Sequence, residues 1–334
     1  MITAAIRERG RAGGLRLLDT RRDLGQVADL IEEVFAGEIG AGGLKAVREL
    51  RMMGQFGPLV WLLERLSDEF RDSLTGFVWV EAGRVVGNVT LSRSKPGSQR
   101  WHIYNVAVQE AYRGRGIGRR LMEAALELAR GRGGAWAILQ VRQNNAPAMQ
   151  LYQRLGFESL YALATLERDG PASFSQAPTP ISGYTLIPCR AADWQRRYEL
   201  ALATTSEEER WVRGVALDDF RPPLWSRLTG ALGRLLAGDL LWRLCVEREG
   251  TLVGALLVQW RADERHGQVS FCVRPEERGR LESWLVQRAL YLLGWRASYT
   301  IEAEHNTAHP EAIEALRAAG FYPKRTLVTM RLPL

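Results

Sequence analysis

A glycine-rich stretch at residues 113–118, Arg-Gly-Arg-Gly-Ile-Gly, is the part of the sequence whose residue types and spacing most directly suggest chemistry. It begins five residues after the apolar run at residues 106–108 and leads into an amphipathic pattern. Glycines let the backbone turn tightly and aim successive N–H groups at one point, where the following helix N-terminus adds positive potential. Such a turn can hold a pyrophosphate.

Two common phosphate-binding folds do not fit the residues that follow this turn. A dinucleotide fold would place Asp or Glu near the end of the next strand, roughly twenty residues on. Here the corresponding apolar segment ends in Gln140-Val141-Arg142. A P-loop would require Gly-Lys followed by Ser or Thr, and the turn has no such sequence. A glycine turn that only reverses the chain is the structural alternative.

The elements around the turn follow from hydrophobic periodicity and turn residues. Strands joined at Ala82-Gly83 form a predicted hairpin. Asn145 is suited to cap the last helix, with Pro147 in its first turn and Gly156 after its end. The pattern predicts helices at residues 24–35, 44–53, 58–66, 119–130 and 146–155, and strands at residues 76–81, 84–91, 101–108 and 135–141.

Several motifs in this order resemble the GNAT superfamily of acetyl-CoA-dependent N-acetyltransferases. They are Val106-Ala107-Val108, Arg113-x-x-Gly116-x-Gly118, Asn145 and Tyr152-x-x-x-Gly156-Phe157. The resemblance covers residues 15–167 strongly and 184–334 weakly. It implies an α/β fold of two tandem GNAT-like domains, each with a mixed central sheet flanked by helices and splayed between its fourth and fifth strands.

The resemblance also implies acetyl-CoA as co-substrate. Its pantetheine would lie in the splayed gap against the backbone around residues 106–108, and its pyrophosphate on the N–H groups of residues 114–119. The cofactor-binding residues implied in this way are Val106, Ala107, Val108, Arg113, Gly114, Arg115, Gly116, Ile117, Gly118, Arg119 and Asn145.

The implied reaction is direct attack of an amine on the thioester, which needs a base, N–H donors for the developing oxyanion and an acid for the departing thiolate. Tyr152 matches the tyrosine of the family, and a phenol of ordinary pKa suits the acid. Its alternative role is to pack its ring on the sheet. The oxyanion donors would be backbone groups near Val106 and Ala107.

His102 is the first candidate for the base, since it lies six residues before Val108 and imidazole has a suitable pKa. A structural histidine or a water relay are the alternatives. Glu81, Glu32 and Glu33 are lesser candidates.

The chain divides at a Pro-rich linker, residues 168–183, which separates a predicted acetyltransferase domain (15–167, after a flexible segment 1–14) from a second domain (184–334). Matching blocks recur at an offset of 164 to 167 residues, which indicates a duplicated domain. In the second copy Leu281, Ser283 and Leu316 stand where the first has Gly116, Gly118 and Tyr152. We expect the second copy to be degenerate and to support the first or shape its acceptor cleft.

Composition narrows the class of protein. A chain with 46% hydrophobic and 25% charged residues is expected to fold. The net charge of +7 comes almost entirely from scattered arginines, so nucleic-acid binding is not expected. Neither a signal peptide nor a membrane span is indicated, and a cytoplasmic location is predicted.

The cysteines and histidines do not indicate a metal site. Three cysteines without a CxxC pair suggest free thiols, with neither a disulfide nor zinc. His305 and His309 have helical spacing, but Pro310 should begin a helix after them, so no metal is expected.

The acceptor is predicted only as a primary amine on a small molecule or a peptide, and the acyl length is not fixed by the sequence. A non-catalytic acyl-CoA sensor and an Arg-rich nucleic-acid-binding protein are the rival classes, and Tyr152 favours the enzyme over the sensor. The apolar stripe within residues 209–241 is typical of a core helix. The alternatives for it are a cover over the acceptor site or a homodimer contact.

Overall fold

The computed structural model describes residues 14–36, 41–55, 72, 75–95, 97–170, 176–221, 229, 233–294 and 300–334. Contacts between residues divide the chain into two units that interleave in sequence. The first comprises Met1–Val141, Ala146–Ser159 and Met330–Leu334, and the second comprises Arg142–Asn145 and Leu160–Thr329.

The first unit is built on a mixed sheet whose strands follow one another in sequence order. They are β1 (Gly14–Leu17), β2 (Thr75–Glu81), β3 (Arg84–Arg93), β4 (Arg100–Val108) and β5 (Trp136–Arg142). Neighbours up to β4 are antiparallel, and β4 pairs with β5 in parallel. At the β2–β3 turn Ala82 and Gly83 both have positive φ, as a type I′ turn requires, which confirms the predicted hairpin.

The strand that follows β5 in this sheet comes from the far end of the chain. It is β12 (Tyr322–Pro333), whose last residues belong to the first unit. The backbone N–H of Leu334 donates to the carbonyl of Ala135 at 2.9 Å. Leu332 lies close to Gly156, and the Arg331 guanidinium stacks over the Trp136 ring. The first unit is therefore completed by residues that the sequence places beyond the second.

Among its described residues this unit has four helices beside the sheet: α1 (Leu24–Val34), α2 (Ala41–Gln55), α3 (Ile117–Gly131) and α4 (Ala146–Arg154). The apolar face of α1 packs with residues of β2 and β3 in one buried cluster, as its periodicity predicts. The helix predicted at residues 58–66 lies outside the described residues. α3 begins two residues earlier than predicted because Gly116 is its N-cap.

The second unit repeats this order of elements, which confirms the predicted tandem α/β architecture. Across its sheet the strands run β12, β6 (Glu158–Asp169), β11 (Thr300–Asn306), β10 (His266–Val273), β9 (Thr251–Arg261), β8 (Leu240–Arg248) and β7 (Thr185–Pro188). Its helices are α5 (Trp194–Thr204), α6 (Glu207–Arg213), α7 (Glu282–Leu293) and α8 (Pro310–Ala318). A large apolar cluster between the sheet and α7 forms its core.

The prediction of three free thiols is wrong. Cys189 and Cys245 form a disulfide, with their Cα atoms 5.4 Å apart, and only Cys272 is free. Antiparallel pairing of β7 with β8 brings the two cysteines together, although 56 residues separate them in sequence. When two strands so far apart in sequence bring cysteines together, the spacing of the cysteines in the sequence does not reveal the pair.

Two leucines of the apolar stripe, Leu235 and Leu236, are 76% and 80% exposed and so do not belong to the core. Trp225, Leu228 and Leu232 of the same stripe lie outside the described residues. The part of the chain that the structure describes contains no helix long and apolar enough to span a bilayer.

Candidate functional site

The predicted glycine cradle lies at the N-terminus of α3. Gly114 and Gly116 have φ of +76° and +77°, a conformation that a side chain would strain. A Cβ placed at either position would meet no atom within 4 Å, so the space in front of the turn is open. No side chain caps α3 and its first turn has no acidic residue. Its first backbone N–H groups are therefore available to an anion.

Two arginines next to the cradle donate hydrogen bonds to backbone carbonyls just before α3. The Nε of Arg113 donates to the carbonyl of Val108 at 3.1 Å, and Arg115 donates to the carbonyl of Ala111 at 3.0 Å. Arg119 pairs with Glu123 at 2.8 Å on the exposed face of α3, where an ion pair adds little stability. Contact between these guanidinium groups and a ligand stays a prediction.

The gap between β4 and β5 opens where the sequence predicts. Residues Arg100 to Ile103 pair with Trp136 to Leu139, and beyond them the two strands are no longer paired. Past the split Ala107 is buried, whereas Val106 and Val108 are half-buried. The sheet is therefore splayed.

A bulge at Asn105 separates the paired part of β4 from residues 106–108. Asn105 has φ of +51°, and the β3–β4 register shifts between Asn88 and Thr90. Asn88 is fully buried, and its amide donates to the Asn105 carbonyl at 3.0 Å and to the Thr90 hydroxyl at 3.2 Å. A bulge re-aims the backbone beyond it, here the backbone next to the gap. Neither asparagine was predicted from the sequence, although an amide within the apolar run of β3 was a usable signal.

Tyr152 lies on α4 and is only 5% exposed, with its ring tilted against Phe157 at 5.9 Å between centroids. The expectation of an ordinary phenol pKa is wrong, because burial raises the pKa of Tyr152 to about 12. The neighbouring Leu151 lies near Gly118, which in turn lies near Val108. The fold thus brings α4, the start of α3 and the end of β4 together.

His102 lies on the paired part of β4, opposite Ser92 of β3 and Ile138 of β5. Its ring stacks on that of Tyr104, with 5.8 Å between centroids. Burial, and to a lesser degree the charge of Arg100, lowers its pKa. The imidazole is therefore neutral at pH 7 and able to accept a proton.

The remaining candidates are dispersed. Glu33 accepts a hydrogen bond from Gln109, directly after β4, whereas Glu32 pairs with Arg51 and Glu81 accepts from the Trp79 indole. Asn145 is exposed at the start of α4, and residues 142–145 group with the second unit.

If His102 is the base, the ascending limb of the pH profile of kcat/KM should have its midpoint below about 6.5, the ordinary pKa of histidine. The rate rises with pH because only the neutral imidazole accepts a proton, and the neutral form is the major one above the pKa. His102→Gln should abolish this limb, and His266→Gln should retain it. Initial rates across the pH range measure the limb, and its survival in His102→Gln would exclude this role. A lysine-like acceptor titrates near 10.4, well away from this range.

The corresponding turn in the second unit is filled by the protein itself. Leu281 is fully buried with φ of −104°, unlike the left-handed Gly116. The carboxylate of Glu282, which is 4% exposed, accepts the backbone N–H of Gly279 at 2.8 Å, and the N–H groups of Leu281 and Glu282 also stabilise it. These N–H groups occupy the position of the first-unit cradle. Leu316, which replaces Tyr152, is fully buried.

No metal centre is visible in the described residues, where no group of three or more His, Cys, Asp or Glu side chains could hold an ion. His305 and His309 do lie together, with their ring centroids 5.3 Å apart.

Comparison with known proteins shows the family to which this chain belongs. Residues 45–157 match the acetyltransferase (GNAT) family model. N-alpha-acetyltransferase RimI of Mycobacterium tuberculosis is 38% identical over 129 residues, which make up 38% of this chain and 80% of that protein. Mycothiol acetyltransferase of Corynebacterium glutamicum is 35% identical over 102 residues, 29% of this chain. The match spans only about a third (34%) of the length of that relative.

A solved tandem GNAT protein from the clavulanic acid biosynthesis pathway has the same fold over nearly the full length. It superposes with a TM-score of 0.58 and 21% identity, covering 96% of this chain and 98% of that one.

Proposed function

Because this chain belongs to the GNAT family of acetyltransferases, we propose that its first unit transfers an acetyl group from acetyl-CoA to a primary amine. The observation that carries this assignment is the contrast between the two helix N-termini. The cradle at α3 is open, whereas the one at α7 holds the carboxylate of Glu282. An anion as large as a pyrophosphate has unoccupied N–H donors only at the first of these two turns.

The residues of the first unit fit acetyl-CoA. Backbone N–H groups of residues 114–119 would hold the pyrophosphate, and the backbone of residues 106–108 would hold the pantetheine at the split between β4 and β5. Acetyl-CoA supplies an activated acyl group and a thiolate leaving group. The second unit, by this proposal, takes no acetyl-CoA.

In this proposal two side chains act as general acid and general base. Tyr152, with its pKa of about 12, stays protonated throughout the physiological range, as a general acid must. A thiol in water has a pKa near 8.5, well below that of the buried phenol. Burial at the same site would also raise the pKa of the departing thiol, which brings the pKa values of the acid and the leaving group closer together. His102, neutral at pH 7, takes the proton of the incoming ammonium directly or through a water molecule. Backbone N–H groups near Val106 and Ala107 stabilise the negative charge that develops on the carbonyl oxygen.

The acceptor is proposed as a class. Similarity to an N-alpha-acetyltransferase supports a peptide N-terminus, and the similarity to a streptothricin acetyltransferase supports a small-molecule amine. Both offer a primary amine, and loops rather than the fold select between them.

Hydrogen exchange of the unmodified protein tests where acetyl-CoA binds. Acetyl-CoA should slow exchange of the amides at residues 114–119 and leave those at residues 279–284 unchanged, because only the first set is free to donate. Calorimetric titration should give one site per chain. Protection at residues 279–284, two sites per chain or no binding would each contradict the proposal, and binding without acetylation of any amine would favour a sensor.

A further inference from the structure

The second unit contains a cavity where β10 and β11 separate. The strands pair only between residues 266–269 and 300–303, and beyond them they part, as β4 and β5 do. The cavity has a volume of about 280 Å³, near the lower limit of about 300 Å³ for small-molecule pockets. Its walls come from β10, β11, α5, α6 and the beginning of α8. The gap has thus remained open in the unit whose cradle is closed.

An arginine side chain lies on one wall of this cavity. Arg278 is half-buried on it, and its guanidinium makes no hydrogen bond or ion pair with any residue that the structure describes. The charge of Arg278 contributes to lowering the pKa of both His305 and His309, so the three side chains lie close together. A cation and two imidazoles therefore face the same space.

His305 also has an unmet hydrogen-bonding need. Its Nδ1 is shielded from solvent and has no hydrogen-bond partner within the described chain, although backbone groups of Phe271 and Asn306 lie near the ring. Burial, foremost among several causes, lowers its pKa to about 4, so the ring is neutral at pH 7. A neutral imidazole protonated at Nδ1 can donate there, and a buried polar atom without a partner is unfavourable. An anion at this point would accept from His305 and pair with Arg278.

The acidic side chains on the cavity walls are already engaged. Glu304 pairs with Arg213 at 3.5 Å, and Glu209 forms a capping box with Ser206 at the start of α6. Glu282 is held by backbone N–H groups. Among the charged lining residues that the structure describes, Arg278 is the one without a hydrogen bond or ion pair from its side chain, so its guanidinium is available to a ligand carboxylate.

From this arrangement we infer that the second unit binds a small molecule through a carboxylate, which pairs with Arg278 and accepts hydrogen bonds from His305 and His309. A guanidinium fits a carboxylate with two parallel hydrogen bonds. A phosphate would carry more negative charge than one guanidinium neutralises. The inference does not depend on activity of the first unit.

Ring signals of the four histidines in the NMR spectrum test this site. Acetate, succinate and glutamate are titrated at constant pH, with the signals assigned from His305→Gln and His309→Gln. We expect at least one of these carboxylates to shift the His305 and His309 signals with a Kd of about 1 mM or lower, and to leave those of His102 and His266 in place. Inorganic phosphate and acetyl-CoA are the comparison ligands.

Arg278→Met should weaken the response at least about tenfold, the equivalent of one lost charge-assisted hydrogen bond. Arg280→Met is the matched control, since Arg280 lies two residues away with 62% of its side chain exposed, and it should respond like the original protein. If Arg278→Met does not fold, Arg278→Lys keeps the charge without the bidentate geometry and should bind more weakly than the original protein. The inference is overturned if no carboxylate moves the two signals, if phosphate or acetyl-CoA moves them instead, or if the two arginine positions behave alike.

Discussion

Replacing Tyr152 with phenylalanine is expected to lower kcat by about 10²–10⁴-fold, the usual contribution of a general acid, and to leave the Kd for acetyl-CoA unchanged. The variant keeps the ring and its contact with Phe157 and loses only the proton donor. A loss confined to kcat identifies a group that acts in the transition state and not in binding. Thiol release measures kcat, and calorimetric titration measures Kd.

The control for this variant is Tyr161→Phe. Tyr161 is 8% exposed, and its hydroxyl is buried without a hydrogen-bond partner in the described residues. Removal of this hydroxyl should leave kcat unchanged. An undiminished rate in Tyr152→Phe, or equal losses in both variants, would remove Tyr152 from the mechanism.

Gly116→Leu is expected to raise the Kd for acetyl-CoA by about 100-fold or more. A side chain at φ of +77° strains the backbone by about 1–2 kcal/mol, and the leucine would stand in the open space before the cradle. The loss of two charge-assisted hydrogen bonds, at about 1.5 kcal/mol each, already corresponds to this factor. Calorimetric titration gives the Kd, and thermal unfolding gives the accompanying loss of stability.

Gly133→Leu separates the two causes. Gly133 follows α3 with φ of +73°, and a Cβ there would also meet no atom within 4 Å. This variant should lower Tm about as much as Gly116→Leu while binding acetyl-CoA normally. If both variants bind equally poorly, backbone strain and not the cradle explains the effect.

The features that could be predicted from the sequence are those decided by neighbouring residues. Helix periodicity predicted α1, the Ala82-Gly83 pair predicted the β2–β3 turn, and glycines predicted the turn before α3. The bulge at Asn105 was not predicted because it depends on an amide from another strand, that of Asn88. The Cys189–Cys245 disulfide was missed for the same kind of reason.

The turn before α7 shows at a single residue that contacts of this kind cannot be predicted from the sequence. Leu281 and Ser283 suggest from the sequence alone that the glycine turn is lost, because both carry side chains where the first copy has none. Glu282 aligns with Ile117. From the sequence it would be taken as an ordinary acidic residue in the first turn of a helix. Only the fold shows that its carboxylate lies on the N–H groups that would otherwise bind an anion.

The assignment of residues 330–334 to the first unit determines when that unit can finish folding during synthesis. Leu334 bonds to Ala135, about 200 residues earlier. At about 5–20 residues per second, a ribosome needs roughly 10–40 s to make the intervening chain. For that time the edge of β5 lacks its final strand, and an unpaired edge strand invites association with other nascent chains. A GNAT domain whose last strand follows the others directly in sequence would not have this period with an unpaired edge.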